Sequence, residues 1–270
     1  MQNPAAPIRP PNKFWLWLHR FGSPAYFYGF AQRWATRCGV VALLLFAVGA
    51  YYGLVVAPAD YQMGDSYRII FIHAPSAWMS MFAYVVMAMA AATGLIWSIK
   101  LGHAVARACA PLGAAFTFCA LVTGALWGKP TWGAYWIWDA RLTSELVLLF
   151  LYFGYMALIS AIEDKRAASR AAALLALVGL VNIPIIHYSV EWWNTLHQGA
   201  TVTRLARPTM DMSMLIPLLI MFAAINFYFI ACLFNRVRCE LLDQERQTQW
   251  VKNLVHQHQM TGQMNGQTHG

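Results

Sequence analysis

Six long apolar runs alternate with short polar segments along the chain, near residues 38–57, 76–99, 105–127, 142–162, 170–189 and 212–234. A run of about 18 or more apolar residues with few charges is typical of a transmembrane helix. Continuous runs do not fit a transmembrane barrel, whose strands are short and alternate between apolar and polar residues. The pattern therefore predicts an all-α, polytopic membrane protein with six transmembrane helices.

The composition agrees with this class, because 59% of the residues are hydrophobic, only 11% are charged and the mean hydropathy is +0.47. If the N-terminus lies in the cytoplasm, 14 of the lysines and arginines fall on the inner side and 5 on the outer side. Basic residues beside membrane spans stay preferentially in the cytoplasm, so the sequence predicts an N-in/C-in orientation. The same bias explains a pI near 9.4, which is therefore no sign of nucleic-acid binding.

Three regions differ in composition. Residues 1–37 contain no acidic residue and mix bulky aromatic with basic side chains, which is typical of a cytoplasmic or interfacial segment. A mitochondrial presequence is the alternative interpretation of this segment. Residues 38–234 form the predicted membrane domain with its outer loops. Residues 235–270 are polar and rich in Gln and Asn, and we expect a cytoplasmic tail that frays into disorder.

The cysteines and the short motifs exclude several chemistries. The five cysteines are predicted to lie inside spans or near the inner face, and no CxxC or CxxCH motif occurs. A disulfide framework, thiol exchange and covalent haem attachment through thioethers are therefore disfavoured. The sequence also has no Walker motif, nucleophile elbow or HExxH pattern, so nothing in it indicates a hydrolase.

Tryptophans are concentrated in the predicted outer loop before the fourth run, in the segment TWGAYWIWDARLTSELVLLFLYFGY at residues 131–155. Trp132, Trp136 and Trp138 lie in this loop. An aromatic belt at headgroup depth is one interpretation. A platform for a flat apolar ligand is the other, because these rings lie on one side and in loop sequence. Each buried ring can contribute roughly 150–250 Å² of contact area.

Two histidines are predicted on the same outer side as the tryptophans. His73 lies in FIHAPSAWMS, just before the second span, where Pro75 suits a first helical turn. His197 lies in the loop before the sixth span. A single interfacial histidine is often only a polar contact, but two beside an aromatic surface indicate a possible pair of axial ligands to haem iron.

Charged residues near the tryptophans have local explanations as well as functional ones. Asp139 directly precedes the fourth span and suits an N-cap. Arg141 could reach either lipid phosphates or the anionic propionates of haem. The basic residues available for propionates on this side are Lys129, Arg141, Arg204 and Arg207.

The segment WGAYWIWDARLTSELVLLFLYFGY resembles the WWD motif of haem-handling proteins of cytochrome c maturation, and the chain is most similar to the six-span CcmC family, the haem exporter proteins C. The resemblance covers nearly the whole chain, including both histidine loops. It implies non-covalent, transient binding of haem b, with His73 and His197 as axial ligands. It also implies that Trp132, Trp136, Trp138 and Asp139 form the platform.

The resemblance further implies a place in a pathway. Members of this family bind haem at the periplasmic face of the bacterial inner membrane and deliver it to the haem chaperone CcmE, whose histidine becomes bonded to a haem vinyl group. The small subunit CcmD and the ABC transporter CcmAB act in the same complex. The resemblance thus implies a haem-binding and haem-transfer component rather than an enzyme, with assistance to the covalent attachment as its nearest approach to catalysis.

Two other functions remain open from the residues alone. A quinone-linked b-type cytochrome would more often bury its histidines within the spans, and both histidines are predicted at or beyond helix ends. A transporter that moves haem across the bilayer would need polar residues along the spans, where Glu145 is the main ionisable residue.

Overall fold

The structure is a computed structural model, and it describes residues 22–193, 195–197 and 210–267. These ranges are largely helical and contain no strand. The helices are α1 (Pro24–Tyr51), α2 (Ile70–Trp97), α3 (Lys100–Trp132), α4 (Ala140–Ala161), α5 (Lys165–Gly179), α6 (Asn182–Trp192), α7 (Met212–Gln244) and α8 (Gln249–Gln267). The all-α prediction is confirmed.

Six helical segments of the described chain are long and apolar enough to cross a membrane: Pro24–Val56, Asp65–Trp97, Lys100–Trp132, Ala140–Ala161, Lys165–Trp192 and Met212–Gln244. A π-helical turn extends α1, a 3-10 turn leads into α2, and α5 and α6 together make the fifth segment. The prediction of six transmembrane helices is therefore confirmed.

The ends of the first and last segments lie outside the apolar runs. α1 begins at Pro24, where a proline in the first turn removes an N–H that would have no partner within the helix. Residues 24–37 are therefore continuous with the first span. α7 continues to Gln244, because a helix can extend beyond the hydrocarbon once its outer turns are polar.

The expectation of a frayed tail is wrong for residues 235–267, which are helical in α7 and α8. Glu245 lies between these helices and accepts hydrogen bonds from Lys100 Nζ and Trp250 Nε1, each at 3.0 Å. The Trp250 N–H and the Lys100 charge hold the pKa of Glu245 below its usual value. Val251 is buried, and the Trp250 ring contacts Tyr28 of α1. These tertiary contacts order a segment whose composition is typical of disorder.

Small residues let the central helices approach closely. Ala83, Ala88 and Ala91 of α2 and Ala106 and Ala110 of α3 are completely buried. Lipid and apolar side chains are equally hydrophobic, so helices in a membrane associate through such close packing rather than through the hydrophobic effect. The central helices are therefore closely packed, and residues at their ends have fixed relative positions.

The start of α2 is held by Arg68 in the preceding 3-10 turn. The Arg68 guanidinium donates to the carbonyl oxygens of Gly53 and Ala57, at 2.6 and 3.0 Å, and pairs with Asp65 at 2.9 Å. Carbonyl groups at the end of a helix have no partner within that helix, and Arg68 supplies donors for two of them. This links the end of the first span to the helix that carries His73.

Candidate functional site

A cavity of about 370 Å³ opens where α2, α4 and α7 begin and where α3 and α6 end. Its volume lies in the range of small-molecule sites, roughly 300–1,000 Å³. The wall is largely apolar and includes Ile70, Trp78, Met81, Leu121, Leu218 and Phe222. The titratable and aromatic side chains that line it are His73, Trp127, Trp132, Arg141, Glu145, His187, Glu191 and His197. Both predicted ligand histidines therefore face one cavity.

His73 lies within α2, and Pro75 also lies inside that helix rather than in its first turn. The sequence-based placement of His73 before the span is therefore wrong, because the 3-10 turn and the first turn of α2 begin before the apolar run. A proline within a membrane helix is tolerated because neighbouring groups satisfy the freed carbonyl. His73 is consequently held by a rigid helix rather than by a loop.

The hydrogen bonds of His73 define its tautomer. Nδ1 lies 3.1 Å from the carbonyl oxygen of Ala120 and 3.1 Å from Thr123 Oγ1. A carbonyl only accepts, and the Thr123 hydroxyl already donates to the carbonyl of Cys119, so Nδ1 is the protonated nitrogen. Nε2 of the neutral ring therefore keeps its lone pair, which is the state that an iron ligand requires.

His197 has the same arrangement with a stronger partner. Its Nδ1 lies 3.2 Å from Asp139 Oδ2, while Asp139 Oδ1 accepts from the backbone N–H of Leu142 at 2.8 Å. Asp139 is thus the N-cap of α4, as predicted, and it also orients the imidazole. A carboxylate on the second nitrogen of a metal-binding histidine sets its tautomer and raises its basicity.

The charge state of His197 is also set by its surroundings. Burial lowers the pKa of His197 below its usual value, although the hydrogen bond that it donates to Asp139 acts in the opposite direction. A lowered pKa means that the ring is neutral at pH 7 and becomes protonated only at more acidic pH. His197 is therefore ready to act as a ligand under neutral conditions.

Tryptophan and glycine fix the two imidazole rings. The His197 ring packs edge to face on Trp132 at 4.7 Å between centroids, and the His73 ring does so on Trp127 at 5.7 Å. A Cβ at Gly124 would lie 2.9 Å from His73 Cε1. Residue 124 must therefore be glycine for the His73 ring to fit. Trp132 is the last residue of α3, and so it belongs to a helix end rather than to the predicted loop.

Arg141 and Glu145 bring opposite charges to the cavity from successive turns of α4. The Arg141 guanidinium makes no hydrogen bond or ion pair within the described residues. Glu145 is buried and accepts a hydrogen bond from Ser80 Oγ of α2 at 2.7 Å. The cavity therefore combines two orientable imidazoles, an apolar and aromatic wall, and one guanidinium that is available to an anionic group.

Comparison with known proteins agrees with this arrangement. The family model described as "Heme exporter protein C" (CcmC) matches residues 17–252. The chain belongs to the CcmC family. It is 47% identical to "Heme exporter protein C" of Haemophilus influenzae over 241 residues, which cover 89% of this chain and 98% of that protein. The protein of the same name from Escherichia coli strain K12 is 46% identical over 243 residues, or 89% and 97% of the two chains.

The resemblance extends beyond those bacteria. "Heme exporter protein C" of Bradyrhizobium diazoefficiens is 48% identical over 220 residues, which cover 82% of this chain and 83% of that protein. A "Putative cytochrome c biosynthesis ccmC-like mitochondrial protein" of Marchantia polymorpha is 42% identical over 190 residues, or 70% and 79% of the two chains. The CcmC family assignment therefore covers all six spans and the cavity.

Two rings of the predicted platform lie outside the cavity of this CcmC-family chain. Trp136 and Trp138 follow the end of α3 at Gly133, whose φ of +80° is favourable for glycine. Their rings meet edge to face at 5.3 Å, and Trp138 is 75% exposed. Trp132 thus contacts a candidate ligand histidine, whereas Trp136 and Trp138 form an aromatic pair that does not line the cavity, with Trp138 exposed and Trp136 half-buried.

The basic residues predicted to contact the propionates also differ in whether they line the cavity. Arg141 lines the cavity, whereas Lys129 is exposed, donates to the Gly133 carbonyl and lies over the ring of Tyr135. Arg204 and Arg207 lie outside the described residues. Arg141 is therefore the basic residue that the described structure brings to the histidines.

Several residues of the cavity were not singled out from the sequence. Trp127 lies just before the tryptophan-rich segment, and Glu145 was considered only as an ionisable residue in a span. Their four-residue spacings, from Trp127 to Thr131 in α3 and from Arg141 to Glu145 in α4, place them on the cavity faces. The contribution of Ser80 and Gly124 had no signal in the sequence, because it depends on packing between helices.

Proposed function

We propose that this protein binds haem b non-covalently at the periplasmic face of the inner membrane, and that it delivers the haem to the chaperone CcmE. Membership of the CcmC family supports a multi-pass, haem-handling component of cytochrome c maturation. The single observation that carries the finer proposal is the pair of imidazoles, His73 and His197. Each has Nδ1 engaged in a hydrogen bond, and both line one cavity.

The residues of the cavity fit haem chemically. Neutral imidazoles with a free Nε2 are axial ligands for haem iron. The flat, apolar macrocycle suits the wall formed by Trp127, Trp132 and the aliphatic side chains. Arg141 offers a planar guanidinium for a propionate carboxylate. When bound, the haem supplies the iron and the vinyl groups, and this chain holds and orients them.

The position of the site favours transfer over permanent storage. The cavity opens at the ends of helices, and the half-buried Trp136 and the exposed Trp138 lie in the segment that joins α3 to α4, two of the helices that line it. A partner can therefore reach both the ligand and an aromatic surface from the same side. We propose CcmE as the partner that docks there, with CcmD and CcmAB as further members of the complex.

The orientation that we propose is N-in/C-in, with the cavity in the periplasm, and it is supported by the distribution of 14 inner against 5 outer basic residues. In a cysteine-free variant, Tyr61→Cys should react with a membrane-impermeant thiol reagent added to the outside of cells, and Arg166→Cys should not. Tyr61 is 90% exposed and Arg166 is also exposed, so each thiol would be accessible on its own side. Labelling of Arg166→Cys alone would place the cavity in the cytoplasm.

The proposed function is tested by purification of the chain from cells with and without CcmE. Without the chaperone, the chain should carry haem with the absorption spectrum of a six-coordinate, non-covalent complex, because both ligands and the wall are preformed. With CcmE and the remaining Ccm proteins present, haem should become covalently bound to CcmE. Haem that stays on the chain and exchanges electrons with quinone would instead indicate a b-type cytochrome.

A further inference from the structure

Arg141 and Glu145 face the cavity from one helix but make no ion pair. They are four residues apart in α4, which puts them on the same helix face. Oppositely charged residues at this spacing commonly pair. Here Ser80 Oγ of α2 lies 2.7 Å from Glu145 Oε1 and 2.7 Å from the Ala77 carbonyl oxygen, so its one proton is shared between these two acceptors. The Tyr152 hydroxyl of α4 also donates to the Ser80 carbonyl oxygen, which links α4 to α2.

A partly buried guanidinium needs an anion. A charge left in a site of low polarity without a partner is costly, and removal of one member of a buried pair is strongly destabilising. When a carboxylate of the ligand is present, it can supply the negative charge to Arg141. The charges of two carboxylates, Glu145 and Asp139, act on Arg141. Asp139 is engaged by His197 and Leu142. When the ligand leaves, Glu145 is therefore the buried carboxylate one helical turn away that has no such partners within the described residues.

We propose that Glu145 competes with the carboxylate of the ligand for Arg141. This competition lowers the affinity of the site for the ligand, so that the ligand can be transferred to the partner. This inference rests on the proposed function, since it takes haem as the ligand. Glu145 acts through Arg141 and is therefore a positioning residue. The contact with Ser80 restrains the carboxylate, which makes no ion pair with Arg141 in the structure, and so limits the competition.

The test is an equilibrium titration of the purified protein in detergent with haem, and with haem dimethyl ester, whose carboxylates are blocked. Glu145→Gln keeps the size of the side chain and an oxygen for Ser80, but removes the charge. It should bind haem at least about tenfold more tightly than wild type, because close charge pairs in partly buried sites couple strongly. Its affinity for the ester should equal that of wild type.

Two further variants sharpen the measurement. Ser80→Ala leaves the charge of Glu145 but frees it to approach Arg141, so haem should bind several-fold more weakly and the ester should not change. This second variant also tests the inference if Glu145→Gln fails to fold. Glu163→Gln removes the same charge just beyond the far end of α4, at an exposed position, and should leave both affinities unchanged.

The outcomes separate this inference from the function on which it rests. If wild type binds no haem, the proposed function is wrong. If wild type binds haem and Glu145→Gln binds it equally or more weakly, only the competition is overturned. Equal changes in the affinities for haem and for its ester would show a merely structural role for Glu145, and would also overturn the inference.

Discussion

Replacement of either candidate ligand, by His73→Ala or by His197→Ala, should abolish delivery of haem to CcmE. Each substitution removes one of the two imidazoles proposed as iron ligands. Any haem that remains bound should therefore lose its six-coordinate spectrum. The measurements are the absorption spectrum of the purified chain and the amount of haem-loaded CcmE in the same cells. Membrane abundance is the control, because His73 also contacts α3 and its loss could lower the amount of folded protein. Unchanged spectra and unchanged loading in both variants would refute the assignment of the ligands.

Asp139→Asn complements the His197 substitution, because it separates two roles of Asp139. One role is the N-cap of α4, and the other is the orientation of the His197 ring. An asparagine oxygen can still accept from the Leu142 N–H, and its amide nitrogen then faces His197 Nδ1. Nδ1 must become the acceptor, so the proton moves to Nε2 and the lone pair for iron is lost. We expect haem affinity to fall about 10–100-fold, as for other residues that orient metal ligands, with little loss of stability. Equal affinity in Asp139→Asn and wild type would show that the carboxylate serves only as a cap.

The aromatic pair Trp136 and Trp138 should affect the delivery of haem more than its binding. The double substitution Trp136→Ala with Trp138→Ala removes two rings that lie outside the cavity, so the chain should retain most of its haem. Haem-loaded CcmE should nevertheless fall severely, because we propose that the partner docks on this surface. The double substitution to phenylalanine is the control, since Phe keeps an apolar ring at the membrane interface.

The same pair of variants separates a docking platform from an aromatic belt. A belt seats the protein in the interface, and phenylalanine should largely replace tryptophan in that role. Loss of membrane abundance in proportion to loss of loaded CcmE would favour the belt. Normal abundance together with normal loading in the alanine variant would remove any special role for these two rings.

The length and polarity of local sequence segments determined the number of spans, one helix start and the side on which the candidate residues lie. The number of spans follows from apolar runs, since each run must cover the thickness of a hydrocarbon layer. Asp139 was predictable as an N-cap from its place directly before an apolar run. The two histidines and the tryptophan segment could also be assigned to one side, because successive spans alternate in direction. These features depend on residues that are close in sequence or on the membrane itself.

The tertiary structure alone decided how those residues work together. The tautomer of His73 depends on the carbonyl of Ala120, and the hold on Glu145 depends on Ser80, in each case across a helix interface. Packing likewise placed Trp132 against His197 and left Trp138 exposed, although both belong to one motif. Hydrogen bonds and ring contacts of this kind join residues far apart in sequence, and their geometry is set only when the helices pack.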